Sequence, residues 1–316
     1  MIRLQTVCPI CGDDVEKPFL CKVSLASDTS FDLLECSGCG VIFTSPLPTE
    51  TQLAEFYTGS YYEFNRSRLE GKGMAFAGRL RRWREKGRFL DIGCATGFFM
   101  NGIRKYSEWE VYGVDFGEKA VRYARDELGL EVKHGELSDA GYPPAFFDYI
   151  HVNNVLEHVL DPVWLLRECR RIIKPDGIFY LSVPNGFNDS LDLINFYEID
   201  NMPARSKNGH IFFFPARTLI RLFDHAGFVI AKKKTYGLKR GLRSMGYWPR
   251  KKDWRKDYMP RKLSEAERQS EIRVTGGTNG RSNLYYRCKF FLDNLRRVPG
   301  LYRFGLDFLF TLRPKT

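Results

Sequence analysis

From residue 88 onward, short apolar runs alternate with stretches whose apolar positions recur three and four residues apart. The runs at 88–92, 111–114, 149–152 and 178–183 predict strands, and the stretches at 98–106, 118–128 and 163–173 predict helices. Strands that alternate with helices connect through right-handed crossovers. The expected fold class is therefore α/β, a Rossmann-like, doubly wound and mostly parallel sheet. Local signals agree: Asp161 is a natural N-cap with Pro162 at the first helical position, and Lys174-Pro175-Asp176-Gly177 reads as a stop and a turn. Upstream, 49–87 reads as a polar helical connector carrying Tyr57, Tyr61, Tyr62 and the basic stretch 79–84. Downstream, 284–313 interleaves aromatic residues with Arg, and the spacing of Phe304, Phe308 and Leu312 predicts one helical face. The expected organisation is 1–48, 49–87, 88–236 and a basic, aromatic helical extension over 237–316.

Composition narrows the class. With 316 residues, 43% hydrophobic and 15% aromatic, the chain can bury a real core, which excludes a wholly disordered or collagen-like protein. No stretch free of charged residues approaches the ~20 needed to span a bilayer, and 1–9 lacks the apolar core of a secretory signal. A cytoplasmic protein, soluble or peripheral to the inner face of the membrane, is expected. The net charge of +11 is local: over 231–262, thirteen Lys or Arg stand against Asp253 and Asp257, a surplus of eleven. Nucleic acid is not the expected partner, because general affinity for it would spread basic residues over the fold. One cationic element suits phosphate, anionic lipid, an acidic partner or simply solvent.

Five of the eight cysteines fall in the first 39 residues, and four form the pairs Cys8-Pro9-Ile10-Cys11 and Cys36-Ser37-Gly38-Cys39. Gly12 and Gly40 follow, tolerating the positive φ that turns backbone N–H groups toward the sulfurs. Two such turns supply four thiolates for a tetrahedral zinc ion, a zinc ribbon. Two disulfides would need a secretory context, and a redox pair would need a preceding parallel strand. A closed four-sulfur site makes the zinc structural. Cys21, Cys94, Cys169 and Cys288 read as small buried hydrophobes.

The ligand chemistry concentrates at the first strand-to-helix turn, Asp91-Ile92-Gly93-Cys94-Ala95-Thr96-Gly97. Ala95 and Phe98 break the dinucleotide spacing after Gly93, and no Gly-Lys-Ser/Thr follows for a phosphate loop. An acid at Asp91 suits a cationic group such as an amino-acid ammonium better than a phosphate. Asp115, eighteen residues after Gly97, ends the next strand, where a carboxylate can accept both hydroxyls of a ribose; Phe116 could lie against a base. The alternative for Asp115 is a helix cap.

These two motifs resemble those of class I S-adenosylmethionine-dependent methyltransferases. Phe147-Asp148-Tyr149-Ile150, Val155-Leu156-Glu157-His158-Val159, 171–177, Ser182-Val183-Pro184-Asn185 and Gly209-His210-Ile211-Phe212-Phe213-Phe214-Pro215 match in order, ahead of Ala226-Gly227-Phe228. Residues 36–48 and Tyr61-Tyr62 resemble a subgroup with an N-terminal zinc-binding segment. The resemblance covers about residues 8–235. It implies that Asp91, Gly93 and Gly97, with the intervening Cys94 and Ala95, hold the methionine end. Asp115 with Phe116 would take the nucleoside, Glu136 and Leu137 the adenine edge, and Asn153 the surroundings of the sulfonium methyl. Many members have glycine where this chain has Ala95. Asn153 and Asn154 read equally as strand-end caps.

A sulfonium methyl is already activated, so the protein must hold the nucleophile at attack distance and, for a hydroxyl, supply a base. His158 and His210 fall in matched motifs and are the base candidates, with Glu157 orienting His158 or touching substrate. His151 reads as a satisfied core residue, and His134 and His225 as peripheral. Some relatives bind a divalent metal through Glu-x-x-Glu-His, but here the first position is Asn154. The aromatic insertion 185–214, with Phe187, Phe196, Tyr197 and Met202, is expected to cover the acceptor. The expected activity is O-methylation of a small-molecule or lipid-linked glycan or nucleotide-sugar acceptor. Sugar C-methylation, RNA methylation and a cofactor-binding scaffold without turnover are the alternatives. Residues 231–316 could meet an anionic membrane surface or a second copy of the chain.

Overall fold

A computed structural model describes residues 7–15, 17–26, 29–53, 63–200, 204–205, 209–237, 273–275 and 307–315. The chain opens with three strands, β1 (Lys17–Ala26), β2 (Thr29–Glu35) and β3 (Ile42–Ser45), then β4 (Glu63–Asn65) and helix α1 (Arg66–Trp83). There follow β5 (Lys86–Ile92), α2 (Phe98–Lys105), β6 (Glu108–Asp115), α3 (Glu118–Asp126), β7 (Glu131–His134), β8 (Phe147–Asn153), α4 (Pro162–Ile172) and β9 (Ile173–Pro184). The remainder is α5 (Gly186–Asp200), β10 (Ala204–Arg205), β11 (Phe212–Phe213), α6 (Ala216–His225), β12 (Phe228–Tyr236), β13 (Arg273–Thr275) and β14 (Asp307–Pro314).

The main sheet has the order β12-β14-β9-β8-β5-β6-β7. Its five strands from β9 to β7 are parallel, as the alternation of strands and helices predicts. The central strands are mostly apolar because helices cover both faces: Phe89, Leu90, Ile150, Val152, Phe179 and Leu181 are fully buried. Asp161 caps α4 as expected, accepting from Trp164 N–H at 2.8 Å with Pro162 at the helix start. On one face α1 seats Phe76 edge-on against Phe89, Tyr149, His151 and Tyr180.

The end of the chain corrects the sequence reading. Residues 307–314 form a strand, not a helical face, and β14 lies between β9 and β12, antiparallel to both. Phe308, Phe310 and Leu312 are its buried face, at 2%, 0% and 0% exposure. A spacing of four satisfies a period of two as well as one of 3.6, so Phe308 and Leu312 share a face in either structure. The last quarter of the chain therefore contributes a strand to the main sheet, and β13 pairs with β4 of the connector. The other aromatic residues of 284–306, and most of the basic run, lie outside the described residues. Lys232, Lys233 and Lys234 of that run sit on the edge strand β12, where charge discourages pairing with another chain. Among the described residues no helix is long and apolar enough to cross a membrane.

A second sheet has the order β10-β1-β2-β3-β11. It joins the cysteine-bearing N-terminal segment to the insertion after β9, two regions that the sequence presents as separate.

Candidate active site

The turn after β5 is built by glycine and tied to β6. Gly93 and Cys94 N–H both donate to Val114 O, at 2.8 and 3.3 Å. Gly93 has φ 74°, and a Cβ there would lie 2.4 Å from Val155 Cγ2, so the turn packs directly on the segment after β8. Gly97 also takes positive φ, 72°. Ala95 has φ 48°, which is why glycine suits this position in relatives: backbone conformation rather than bulk is at issue.

Asp115 lies at the carboxyl edge of β6, where open α/β sheets bind ligands. Its Oδ2 accepts from Ala95 N–H at 2.7 Å and its Oδ1 from Gly117 N–H at 2.8 Å, so it clamps the glycine turn, while Gly117 is the cap residue of α3. Burial raises its pKa against these two amide bonds. Each oxygen keeps a second acceptor position, which suits a pair of vicinal hydroxyls. Phe116 is 41% exposed beside it and Leu137 is buried, a flat face and an apolar floor for a base. Glu136 is exposed, its pKa raised by burial and by Glu50 and Asp139. Asn153 is exposed at the end of β8, and Cys94 is buried within the turn, its thiol pKa raised by desolvation. Asp91 is only 5% exposed and its Oδ1 is 2.6 Å from His151 Nδ1, across the β5–β8 pairing. His151 stacks on Tyr180 and is the satisfied core residue that the sequence suggests. These residues fit an S-adenosylmethionine molecule: carboxylates for hydroxyls and ammonium, an exposed ring, and Phe98 where a pyrophosphate-binding turn would have its third glycine.

The four N-terminal cysteines converge. Their sulfurs lie within 4.8 Å of one another, with Cys8 to Cys39 at 3.8 Å and Cys11 to Cys36 at 3.5 Å. A zinc ion bound tetrahedrally at ~2.3 Å requires sulfurs about 3.8 Å apart, so the set fits a structural zinc. Ile10 N–H points at Cys8 Sγ and Cys39 N–H at Cys36 Sγ, and Gly12 and Gly40 take φ 79° and 78°. Hydrogen bonding between Cys8 and Cys39 lowers the first thiol and raises the second, and desolvation raises Cys11 to about 12, so the sulfurs hold protons between them that a zinc ion would displace.

After β8, Glu157, His158 and His210 come together. Glu157 is 1% exposed, and among the described residues neither carboxylate oxygen finds a hydrogen-bond partner on another residue. Burial raises its pKa to about 8. Its Oε1 lies 3.7 Å from His158 Nε2 and 3.8 Å from His210 Nε2. Gly209 O, which can only accept, is 3.2 Å from His158 Nδ1, so the proton of that ring sits on Nδ1 and Nε2 presents a lone pair to Glu157. Desolvation and the neighbouring His210 lower the His158 pKa to about 3. His210 Nδ1 is 2.6 Å from Asp189 Oδ2. Burial opposes charge on His210, but the Asp189 carboxylate outweighs it and raises the pKa to about 9. The same three side chains, with ligand atoms within 4.8 Å of one another, are also a donor set that a cation would accept.

Sequence reasoning missed Asp189. It lies in the first turn of α5, at the start of the insertion, and its pairing with His210 spans the whole insertion. Its one sequence signal is an acid placed just after a strand ending at the ligand edge. Of the residues of the insertion singled out in the sequence, Phe187 is 55% exposed; Met202 and the side chains of Phe196 and Tyr197 lie outside the described ones.

The chain is 28% identical over 159 residues to a ubiquinone biosynthesis O-methyltransferase of Neisseria meningitidis serogroup A, a match over 46% of this chain and 66% of that protein. It is 34% identical over 102 residues to the ubiquinone biosynthesis O-methyltransferase of a Pseudomonas aeruginosa strain, covering 30% of this chain and 44% of that protein. The chain thus spans from under half to about two thirds of the length of these relatives. Among solved structures it is similar to a SAM dependent methyltransferase from Archaeoglobus fulgidus, with TM-score 0.44 and 19% identity over 76% of this chain and 94% of that one. A methyltransferase domain model matches residues 61–233, more than half of the sequence, and the chain belongs to that methyltransferase domain family.

Proposed function

We propose that the protein transfers the methyl group of S-adenosylmethionine to a hydroxyl oxygen of a small-molecule or lipid-linked acceptor, with a glycan or nucleotide-sugar hydroxyl as the preferred class. The observation that carries this reading is the His210–Asp189 pair beside the buried Glu157, joined to the cofactor turn through the contact of Val155 with Gly93. When bound, S-adenosylmethionine supplies a methyl group activated on a sulfonium. Asp115 accepts the ribose hydroxyls and keeps the glycine turn in place. Asp189 holds a hydrogen on His210 Nδ1, so in the neutral form of the ring, which gains as pH rises toward about 9, Nε2 takes the acceptor proton, the logic of an oriented general base. Glu157 stands 3.8 Å from that nitrogen and, once ionised above about pH 8, can share the proton as it arrives. Phe187, 55% exposed in the first turn of α5 two residues before Asp189, would cover the acceptor.

The names of the relatives support oxygen as the accepting atom. A membrane-facing acceptor belongs to the same proposal, with the basic run as its second attachment. The test is transfer of isotopically labelled methyl from S-adenosylmethionine to a panel of nucleotide sugars, lipid-linked glycans, small phenols and RNA, with wild type and His210→Ala compared. Label in a hydroxyl of a small or lipid-linked acceptor, lost in His210→Ala, supports the reading; label in RNA, or turnover that survives the substitution, overturns it.

A further inference from the structure

The N-terminal cysteine segment and the loop that carries the base are parts of one sheet. In the β3–β11 pairing Phe43 stands opposite Phe212 and Ile42 opposite Phe213, and Thr44 N–H donates to Ile211 O at 3.0 Å. Ile211 and Phe212 N–H both donate to the backbone carbonyl of Glu157, at 2.9 and 3.1 Å. The two residues directly after His210 are therefore held from one side by the N-terminal segment and from the other by Glu157. A second tie reaches the zinc knuckle itself. Cys39 O accepts from Thr218 Oγ1 at 2.7 Å and from Arg217 Nε at 3.2 Å. Thr218 is 1% exposed in the first turn of α6, the helix that follows β11. Arg217 packs so closely on the knuckle that a Cβ at Gly40 would lie 2.0 Å from its Nη2. The bonds that shape the cofactor turn run elsewhere, from Gly93 and Cys94 to Val114 and from Ala95 to Asp115.

We propose that zinc at Cys8, Cys11, Cys36 and Cys39 fixes the position of His210 and Glu157 through the Thr218–Cys39 bond and the β3–β11 pairing, while the cofactor half of the site forms without it. Thr218 is then a positioning residue for the acceptor half, and the zinc controls acceptor chemistry rather than cofactor binding. The inference rests on His210 and Glu157 being the acid–base pair.

The test uses the full chain and needs no acceptor. Amide hydrogen exchange is followed at Ile211 and Phe212 and across residues 86–115, with calorimetric titration of S-adenosylmethionine in parallel. The forms compared are zinc-loaded wild type, Thr218→Val, Thr218→Ser and the zinc-free Cys11→Ser variant. Loss of one buried hydrogen bond should speed exchange at Ile211 and Phe212 about tenfold in Thr218→Val, and Thr218→Ser, which keeps the hydroxyl, should restore it. Cys11→Ser should release the same amides further while S-adenosylmethionine affinity stays within about threefold of wild type. The proposal is overturned if those amides exchange alike with and without zinc. It is equally overturned if zinc loss abolishes cofactor binding and the protection of residues 86–115 together. Failure of the methyltransferase reading would look different: wild type would bind no S-adenosylmethionine, with the zinc-dependent protection intact.

Discussion

Asp148 and Glu157 stand near opposite ends of β8, nine residues apart, and both carboxylates are buried, at 2% and 1% exposure. Asp148, at the amino edge, accepts from Arg88 N–H at 2.9 Å and from Lys174 Nζ at 2.8 and 2.9 Å, and also pairs with Arg84 Nη1. Glu157, at the carboxyl edge, has two imidazoles near 3.8 Å and no hydrogen bond from another described residue. One carboxylate is satisfied as a structural charge should be; the other is kept short of partners in the position where, on the proposed function, an acceptor proton would go. The contrast separates the two edges of the sheet into one that holds the fold together and one that holds chemistry ready.

The largest expected effect lies at the carboxyl edge. His210→Ala should lower turnover by about 10²–10⁴, with S-adenosylmethionine affinity little changed, as steady-state kinetics and calorimetry will show. At the amino edge, Asp148→Ala should cost about 2–3 kcal/mol in a denaturant titration. That is below the range of about 3–5 kcal/mol for a broken, fully buried ion pair, because the Arg84 and Lys174 side chains remain 34% and 31% exposed and partly screened. Turnover per folded molecule should survive. Asp115→Ala removes the acceptor for two hydroxyls and the clamp on Ala95, and should weaken S-adenosylmethionine binding about ten- to a hundredfold in calorimetry. The smallest effect belongs to Ala95→Gly. Relief of the φ 48° strain and the added freedom of the unfolded chain oppose each other, so the unfolding free energy should move by less than about 0.5 kcal/mol.

The same contrast accounts for how much could be read from the sequence. The parallel strands are legible because helices cover both of their faces and force short, mostly apolar runs, which in β5 and β8 are broken by Asp91 and His151, paired with each other. The cysteine set was legible because metal geometry dictates spacing, and the cofactor turn because close backbone approach requires Gly93. Legibility ended where long-range pairing decides. The two-residue strands β10 and β11 carry no periodicity, yet they join the insertion to the N-terminal segment. The four-residue β7 is too short for a pattern, and β14 offered a spacing common to strand and helix. Asp189 reaches His210 only because α5 folds back on the turn before β11, a tertiary fact with no local signature.

The most direct test of the central claim, that Glu157 is held under-satisfied for chemistry, is equilibrium unfolding of Glu157→Gln against wild type across pH. Burial in the folded state raises the Glu157 pKa to about 8 from its ordinary value of 4.5, so the folded state binds that proton more tightly than the unfolded chain. The associated stability is fully present below about pH 4.5 and is lost as pH rises through about 8. Glutamine has the shape without the titration. The account predicts that Glu157→Gln gains on wild type steadily between these values, levels off above about pH 8, and at pH 8 is at least as stable as wild type. A Glu157→Gln protein that is less stable than wild type throughout, as Asp148→Ala should be, would make Glu157 a structural charge and contradict the account.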